Sequence, residues 1–455
     1  MSTTPVDLGG CAHPGLRELW PRKSFDRCFS PRTYVVRART RHAPVESWLL
    51  TNAWLPDTLM PISSQQPPVS TSSAAASGAA LGIDVPRVLG RLQGAPGPTL
   101  VVVGGLHGNE PAGAVALVRI FARLAGQSGA GVTGRFIGLA GNIKGLARRR
   151  RFLGEDLNRI WLPERIAHVR NALGPLEDEE EELAALDREF TRAQQEASGP
   201  FIVFDVHGFS GPGNAFVTLD DTLSNRALAF RIPAPCVLGL EEELQGTLTE
   251  HFVNAGITSF GFESGQLDDP RSVDRAEAAV WIVLEAAGVL ARGWPEVARS
   301  RRLLADESRS LPPVVEVRHR HAITSLDQFR MLPGYAGFRP VRAGERLASS
   351  LGGDVTAPFD GLILMPLYQG QGNDGFFVVR PVRRFWLWLS ALLRRLPVRG
   401  TLAWLPGVSR HPSEAGSYVV DTRRARWLAL QVFHLLGFRR HVRLPHGFVM
   451  SPRGR

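Results

Sequence analysis

The sequence predicts an α/β fold in which a mainly parallel sheet is flanked by helices and followed by a smaller C-terminal all-β module. Continuous apolar runs recur along the chain, as expected of strands that are buried on both faces. Helical patterns separate these runs, and such alternation is typical of a parallel sheet covered by helices. The runs are residues 99–103 (TLVVV), 135–139 (RFIGL), 200–206 (PFIVFDV) and 259–263 (SFGFE).

Length and composition are those of a globular protein with more than one domain. The chain has 455 residues, enough for about three domains. Hydrophobic residues make up 44% and charged residues 21%, which excludes a wholly disordered or fibrous chain. Residues 1–85 carry no sustained period, and residues 61–80 are rich in Pro, Ser and Ala. We therefore predict a partly disordered extension and linker over residues 1–85.

A change in the pattern near residue 315 predicts the next domain boundary. Residues 86–314 hold the alternating strands and helices, whereas residues 315–381 are short β-like pieces punctuated by Gly and Pro. Such pieces are typical of a small all-β unit. We predict an α/β domain over residues 86–314 and a small β domain over residues 315–381.

The last segment, residues 382–455, is predicted to be a basic amphipathic tail. It contains fourteen Arg and no Lys against Glu414 and Asp421, a net charge of +12, while the whole chain carries +10. Its Trp and Leu stretches alternate with arginine pairs, which predicts peripheral contact with an anionic membrane. Charge alone also allows nucleic-acid binding, but no recognisable nucleic-acid fold accompanies it, so no such partner is expected. A solvated arginine-rich extension is the alternative.

Cysteine content and hydropathy predict a cytoplasmic protein, with the tail as its contact to a membrane. Three cysteines are too few and too scattered for a disulfide framework. The early residues show no secretory signal. No uncharged apolar run approaches the ~20 residues that a membrane-spanning helix needs.

Candidate metal ligands follow two of the predicted strands. His107 and Glu110 lie in GGLHGNEPAG, directly after TLVVV, and open α/β sheets place their sites at the carboxyl ends of strands. His207 ends the run FIVFDVHG. Each of these is common in a structural setting, but two imidazoles and one carboxylate together are typical of a hydrolytic zinc site with one open position. Asp205 shares a strand face with His207 and is predicted to orient an imidazole. The set indicates one Zn²⁺ per chain.

Further polar residues are candidates for substrate binding and proton transfer. Arg151 and Arg159, with Asn158 beside the second, offer guanidinium groups that can bind a carboxylate bidentately. Glu263 ends the apolar run before SGQ. A carboxylate next to zinc-bound water can accept its proton and return it to a leaving amine. Glu263 is therefore the predicted catalytic base.

At these residues the sequence resembles the succinylglutamate desuccinylase and aspartoacylase family, relatives of the zinc carboxypeptidases. The resemblance runs over residues 88–381 through HGNEPAG, R-x-x-x-x-DLNR, DVHG and FES in the family's order. It implies that His107, Glu110 and His207 bind the zinc and that Glu263 is the catalytic carboxylate. It also implies a zinc carboxypeptidase-like fold and a C-terminal domain like the β module. The further site residues it implies are Arg151, Asn158 and Arg159, which would hold the substrate.

The residues and the resemblance together predict a zinc-dependent deacylase that hydrolyses the amide of an N-acyl amino acid or a similar small carboxylate-bearing amide. A carboxypeptidase-like hydrolase of a short peptide or cell-wall amide is the alternative within the enzymes, since the same site accepts larger amides if the cleft is open. A non-catalytic membrane-surface binding protein is the alternative outside them.

Overall fold

The computed structural model describes residues 70–72, 85–125, 131–425 and 429–452. The predicted extension and linker, residues 1–85, therefore lie outside the described residues, except for residues 70–72 and Val85.

Strands and helices alternate through the first part of the described chain. The strands there are β1 (Ser70–Ser72), β2 (Val88–Gln93), β3 (Ala95–Gly104), β4 (Thr133–Ala140), β5 (Phe201–Phe209), β6 (Phe216–Leu219), β7 (Cys236–Leu238) and β8 (Thr258–Gln266). The helices are α1 (Ala112–Ala125), α2 (Ile143–Arg148), α3 (Pro163–Asn171), α4 (Asp178–Gln195), α5 (Leu223–Ala229), α6 (Leu248–Asn254), α7 (Pro270–Ala286) and α8 (Pro295–Ser308). Short 3₁₀ turns lie at Leu157–Arg159 and Leu240–Glu242.

Strands dominate the second part. They are β9 (Val314–Ala322), β10 (Arg330–Met331), β11 (Pro340–Val341), β12 (Arg346–Ser350), β13 (Gly353–Thr356), β14 (Gly361–Leu364), β15 (Asp374–Pro381), β16 (Val408–Arg410), β17 (Tyr418–Asp421), β18 (Phe438–Leu444) and β19 (Gly447–Pro452). The helices are α9 (Arg384–Leu393) and α10 (Ala429–Leu435), with 3₁₀ turns at Ser325–Asp327 and Pro397–Trp404.

One mixed sheet organises the molecule. Within the described residues it has twelve strands, in the order β1-β2-β4-β3-β5-β8-β6-β7-β9-β15-β14-β11. Its centre is parallel, because β4, β3, β5 and β8 pair in the same direction. Strands β6, β7 and β9 are parallel to one another, but β6 is antiparallel to β8. The structure thus confirms the predicted α/β class, with antiparallel pairs towards both edges.

The apolar run of β3 shows why the central strands are hydrophobic on both faces. Leu100 and Val102 pack in a core layer shared with α1 and α7, whereas Val101 and Val103 pack in a second layer shared with α4. All four side chains are fully buried. Alternate residues of a strand point to opposite faces, so helices on both faces require an unbroken apolar sequence.

The region predicted as a small β domain is all β, but half of it extends the large sheet. β9 pairs in parallel with β7, and β15, β14 and β11 follow outward from it. The pairing with β9 covers the backbone of β7, which would otherwise be a sheet edge. The separate three-stranded sheet is β10-β12-β13.

Residues 384–452 contain a folded layer where the sequence predicted only an amphipathic tail. Strands β16, β17, β19 and β18 form a four-stranded antiparallel sheet. This sheet has its own core with α10, in which Val420, Phe433 and Met450 are fully buried. Strands of only a few residues give a weak periodic pattern, so the prediction for this segment rested on its arginine content instead. Among the described residues, no helix is both long and apolar enough to cross a bilayer.

Candidate active site

The site lies where the central parallel strands end. β3, β5 and β8 are neighbours, so their carboxyl ends meet at one edge of the sheet. His107 and Glu110 lie in the turn between β3 and α1, and His207 lies in β5. Glu263 in β8 is the register partner of His207. The structure therefore brings together four of the residues selected from the sequence.

The turn after β3 depends on glycine at position 108. A Cβ atom there would lie 2.0 Å from the carbonyl carbon of Gly145 and 2.4 Å from the carbonyl oxygen of Arg150. The backbone of the turn is thus in direct contact with the loop that follows α2. The Glu110 N–H donates to the His107 carbonyl at 3.0 Å, which closes the turn.

His107, Glu110 and His207 form a buried cluster with the donor atoms of a metal site. One nitrogen or oxygen from each residue lies within 4.8 Å of those of the other two. Glu110 Oε1 is 2.9 Å from His107 Nδ1, and Glu110 Oε2 is 3.0 Å from His207 Nδ1. The side chains are no more than 8% exposed. The carboxylate thus faces the Nδ1 atoms of both imidazoles.

An aspartate holds each imidazole from the opposite side. His207 Nε2 is 2.7 Å from Asp205 Oδ2, and His107 Nε2 is 3.0 Å from Asp156 Oδ1. A proton on each Nε2 leaves the Nδ1 lone pairs directed at Glu110, which is the tautomer that a metal requires. His107 Nδ1 faces Glu110 Oε1 at 2.9 Å without the alignment of a hydrogen bond. Two imidazole nitrogens and a carboxylate that converge in this way form a donor set that suits Zn²⁺.

The Arg151 guanidinium contacts the same cluster. Its Nη1 donates to Glu110 Oε1 at 2.9 Å, and its Nη2 donates to Asp156 Oδ2 at 3.2 Å. Nη2 is also 3.0 Å from His107 Nε2. Arg151 is thus the cation that balances the carboxylates of the cluster.

Burial and neighbouring charges shift the pKa values of the cluster in opposite directions. Burial raises the pKa of the Glu263 carboxyl to about 8. Burial also acts to raise the pKa of Glu110, but His107, His207 and Arg151 outweigh it and hold that pKa below its usual range. For His207, burial acts to lower the pKa, but Asp205 and Glu110 raise it well above its usual value. Glu110 is therefore a carboxylate, whereas the raised pKa lets the Glu263 carboxyl hold a proton near neutral pH.

One known protein family matches the part of the chain that holds the cluster. Residues 96–279 match the family described as the succinylglutamate desuccinylase/aspartoacylase catalytic domain. This segment belongs to that family. Members of the family are deacylases, and the matched segment includes His107, Glu110, His207 and Glu263.

Solved structures that match this chain do so at low sequence identity. A succinylglutamate desuccinylase/aspartoacylase from Rhodobacter sphaeroides is 21% identical, with 70% of this chain and 95% of that one covered and a TM-score of 0.48. The product-bound ectoine utilization protein EutE (DoeB) from Ruegeria pomeroyi is 20% identical, with 70% and 99% covered and a TM-score of 0.48. An aspartoacylase family protein from Mesorhizobium loti is 18% identical, with 70% and 96% covered and a TM-score of 0.45. No curated protein matches the chain.

The other two residues selected for substrate binding have contacts of their own outside the His–Glu–His cluster. Asn158 Oδ1 accepts the Leu248 N–H at 2.9 Å, at the start of α6. Arg159 Nη2 is 3.5 Å from Asp374 Oδ2 in β15. Neither contacts the His–Glu–His cluster, although the charge of Arg159 helps to lower the pKa of Asp156 against the effect of burial.

Sequence reasoning missed two residues that the fold brings to this region. Asp156 contacts His107 across 49 positions of sequence, and Gln369 accepts a 2.9 Å hydrogen bond from the Asn109 side chain. An aspartate two residues before Asn158 gives no signal by itself, because its partner is fixed only when the loop folds back on the turn after β3. Gln369 lies in the β region, and no periodic pattern connects that region to the site.

Proposed function

We propose that this protein is a zinc-dependent deacylase that hydrolyses the amide of an N-acyl amino acid or a similar small carboxylate-bearing amide. The observation that carries the proposal is the buried cluster of His107, Glu110 and His207 in a deacylase-family catalytic domain. Its donor set is that of hydrolytic zinc sites, with three protein ligands and room for a fourth.

The cluster holds one zinc ion per chain in this proposal. The two imidazoles bind through Nδ1 and Glu110 binds through its carboxylate, while Asp156 and Asp205 keep the rings in place from the Nε2 side. When bound, Zn²⁺ supplies a Lewis acid for the amide carbonyl and lowers the pKa of its water to about 7.

Glu263 is the proposed proton carrier. Its Oε2 is buried and makes no hydrogen bond to any described residue, so this atom is free to accept a proton from the attacking water. The raised pKa means that the carboxyl can hold the proton near neutral pH and then donate it to the leaving nitrogen. A general base that later acts as an acid needs an oxygen that is free to accept the proton and a pKa high enough to hold it.

Arginine side chains are the proposed binding groups for the substrate's negative charge. Arg151 is bound to Glu110 and Asp156, and a dication on Glu110 repels a guanidinium 2.9 Å from that carboxylate. With a metal held by Glu110, Arg151 would keep its contact with Asp156 and would be available to the substrate's negative charge. Arg159 and Asn158 complete the proposed set, and Arg159 exchanges part of its contact with Asp374 for the substrate carboxylate.

Metal analysis combined with a substrate panel tests the proposal. The purified protein is expected to contain one zinc per chain and to release amino acid from N-acyl amino acids. His107→Ala should lose both the metal and the activity, whereas His168→Ala, an exposed histidine on α3, should keep both.

The panel includes short peptides and cell-wall amides, to separate the deacylase from the carboxypeptidase-like alternative. Cleavage of peptides without cleavage of N-acyl amino acids would replace the proposed substrate class. Full zinc content in His107→Ala would overturn the metal assignment itself.

A further inference from the structure

Helix α9 turns its most apolar side to solvent. Phe385, Trp388 and Leu392 stand at positions i, i+3 and i+7 and are 57%, 61% and 42% exposed. Trp386, beside them, is 48% exposed. The Phe385 ring contacts both Trp386 and Trp388, so these side chains form one continuous patch.

The opposite side of α9 is fixed by polar contacts to α10 and to the region of α5 in the catalytic domain. Ser390 is 2% exposed and donates to the Leu435 carbonyl at 2.8 Å. Arg226 of α5 donates to the Leu387 carbonyl at 3.3 Å. Just after the helix, Arg394 pairs with Asp221 at 2.6 Å. Rotation of α9 to hide its aromatic side chains would break these contacts, so the apolar face is held outward by the fold.

Arginines surround this outward face at both ends. Arg383 and Arg384 begin the helix, Arg395 follows it, and all three are exposed. The helix contains no acidic residue, and in the part of the chain that the structure describes no carboxylate pairs with these three side chains. Cations at a helix N-terminus oppose the macrodipole. Arg383 and Arg384 therefore weaken the helix slightly and are more readily explained by an external anion.

We propose that the α9 face, made of Phe385, Trp386, Trp388 and Leu392 with the three flanking arginines, binds the surface of an anionic phospholipid bilayer. Trp side chains favour the interface between lipid and water, because the ring is apolar and its N–H is polar. Basic residues beside an interfacial helix add attraction to anionic headgroups.

A bilayer explains the patch better than a second copy of the chain does. Pairing of two α9 faces would bring six guanidinium groups together without the acidic partners that such an interface needs. A negatively charged lipid surface neutralises the same arginines while the aromatic side chains lose contact with water. This inference concerns docking and does not depend on the proposed hydrolysis.

Vesicle co-sedimentation of the full-length protein tests the proposal. Vesicles of phosphatidylcholine with about one third phosphatidylglycerol should sediment the protein at low salt, whereas pure phosphatidylcholine should bind it much less. High salt should weaken binding to the anionic vesicles, because it screens the arginines. Failure to bind anionic vesicles at low salt would overturn the proposal.

Two double variants separate the aromatic and the charged contributions. Phe385→Gln with Trp388→Gln should lower the partition coefficient at least about tenfold. Arg383→Gln with Arg384→Gln should lower it by about fivefold per arginine, on anionic vesicles only. Matched controls are Leu173→Gln with Leu326→Gln, two exposed leucines elsewhere, and Arg299→Gln with Arg302→Gln on the surface of α8. Circular dichroism and the melting temperature check that every variant is folded.

Equal losses in variants and controls would mean that general hydrophobicity or charge causes the binding, and the α9 face would be rejected. Sedimentation velocity tests whether the α9 face pairs with a second copy of the chain. If the wild type self-associates, the Phe385→Gln and Trp388→Gln variant is monomeric, and neither binds vesicles, the partner is a second copy and the bilayer proposal is wrong.

Discussion

Each imidazole of the His–Glu–His cluster is held by its own aspartate, and the two aspartates come from different parts of the chain. Asp205 shares strand β5 with His207 at a spacing of two, so the strand period alone directs both side chains to one face. Asp156 caps the 3₁₀ turn Leu157–Arg159 and accepts the Asn158 N–H as well as facing His107. The first contact could be predicted from the sequence, whereas the second requires the folded loop.

Removal of either negative charge should weaken metal binding. Asp205→Asn and Asp156→Asn each keep the side-chain shape but lose the charge that fixes the Nε2 proton, so zinc affinity should fall by about 10- to 100-fold. Competition against a chromogenic chelator measures this affinity. Asp178→Asn on the exposed start of α4 is the control. Unchanged affinity in both site variants would show that the aspartates serve only the fold.

Glu263 allows proton transfer to be separated from metal binding. Glu263→Gln keeps size and polarity but cannot accept a proton, so kcat should fall by about 10² to 10⁴. Zinc content should stay at one per chain, because Glu263 is not among the three clustered ligands. Steady-state kinetics and metal analysis of the same preparation check both points. Near wild-type turnover would exclude Glu263 as the base.

At the level of elements, strand register and one tight turn assemble the site. His207 and Glu263 are partners in the parallel pair β5 and β8, so a shift of β8 by one residue would turn Glu263 away from the cluster. The apolar runs that predicted these strands also predicted that their ends meet. The approach of the loop after α2 to Gly108 has no counterpart in the hydrophobic pattern, which is why Asp156 and the position of Arg151 could not be derived from it.

Gly108→Ala should disturb the turn after β3. The new Cβ would collide with backbone atoms of Gly145 and Arg150, and overpacking of this kind costs about 1–3 kcal/mol. We expect a lower melting temperature together with weaker zinc binding, since His107 and Glu110 lie on either side of the residue. Gly174→Ala is the control, because a Cβ there meets nothing within 4 Å. Equal melting temperatures for the two variants would contradict the close approach.

A buried ion-pair cluster joins the catalytic domain to the last 70 or so residues of the molecule. Asp221 lies at the start of α5 and accepts from both Arg226, at 2.7 Å, and Arg394, at 2.6 Å. The Asp221 and Arg394 side chains are 6% and 3% exposed. From the sequence, Arg394 was predicted to lie in a solvated or membrane-bound tail. A charge in a sequence does not reveal whether a partner far along the chain will bury it.

Loss of Asp221 should therefore destabilise the protein as a whole. Asp221→Ala leaves two buried guanidinium groups without this carboxylate, and breaking a buried pair costs about 3–5 kcal/mol. Denaturant titration measures the free energy of unfolding. The control Asp306→Ala removes an exposed partner of Arg309 and should cost at most about 1 kcal/mol. A similar small loss in both variants would mean that the C-terminal layer is only loosely attached.

The position of α9 along the chain has a consequence for protein synthesis. Ribosomes release the N-terminal part first, and domains fold in that order. The segments that carry His107, His207 and Glu263 are complete by residue 266, more than a hundred residues before α9 begins. The segments that form the candidate site are therefore synthesised first, and the aromatic helix face emerges only afterwards. The proposed membrane binding through this face would therefore be a post-translational event.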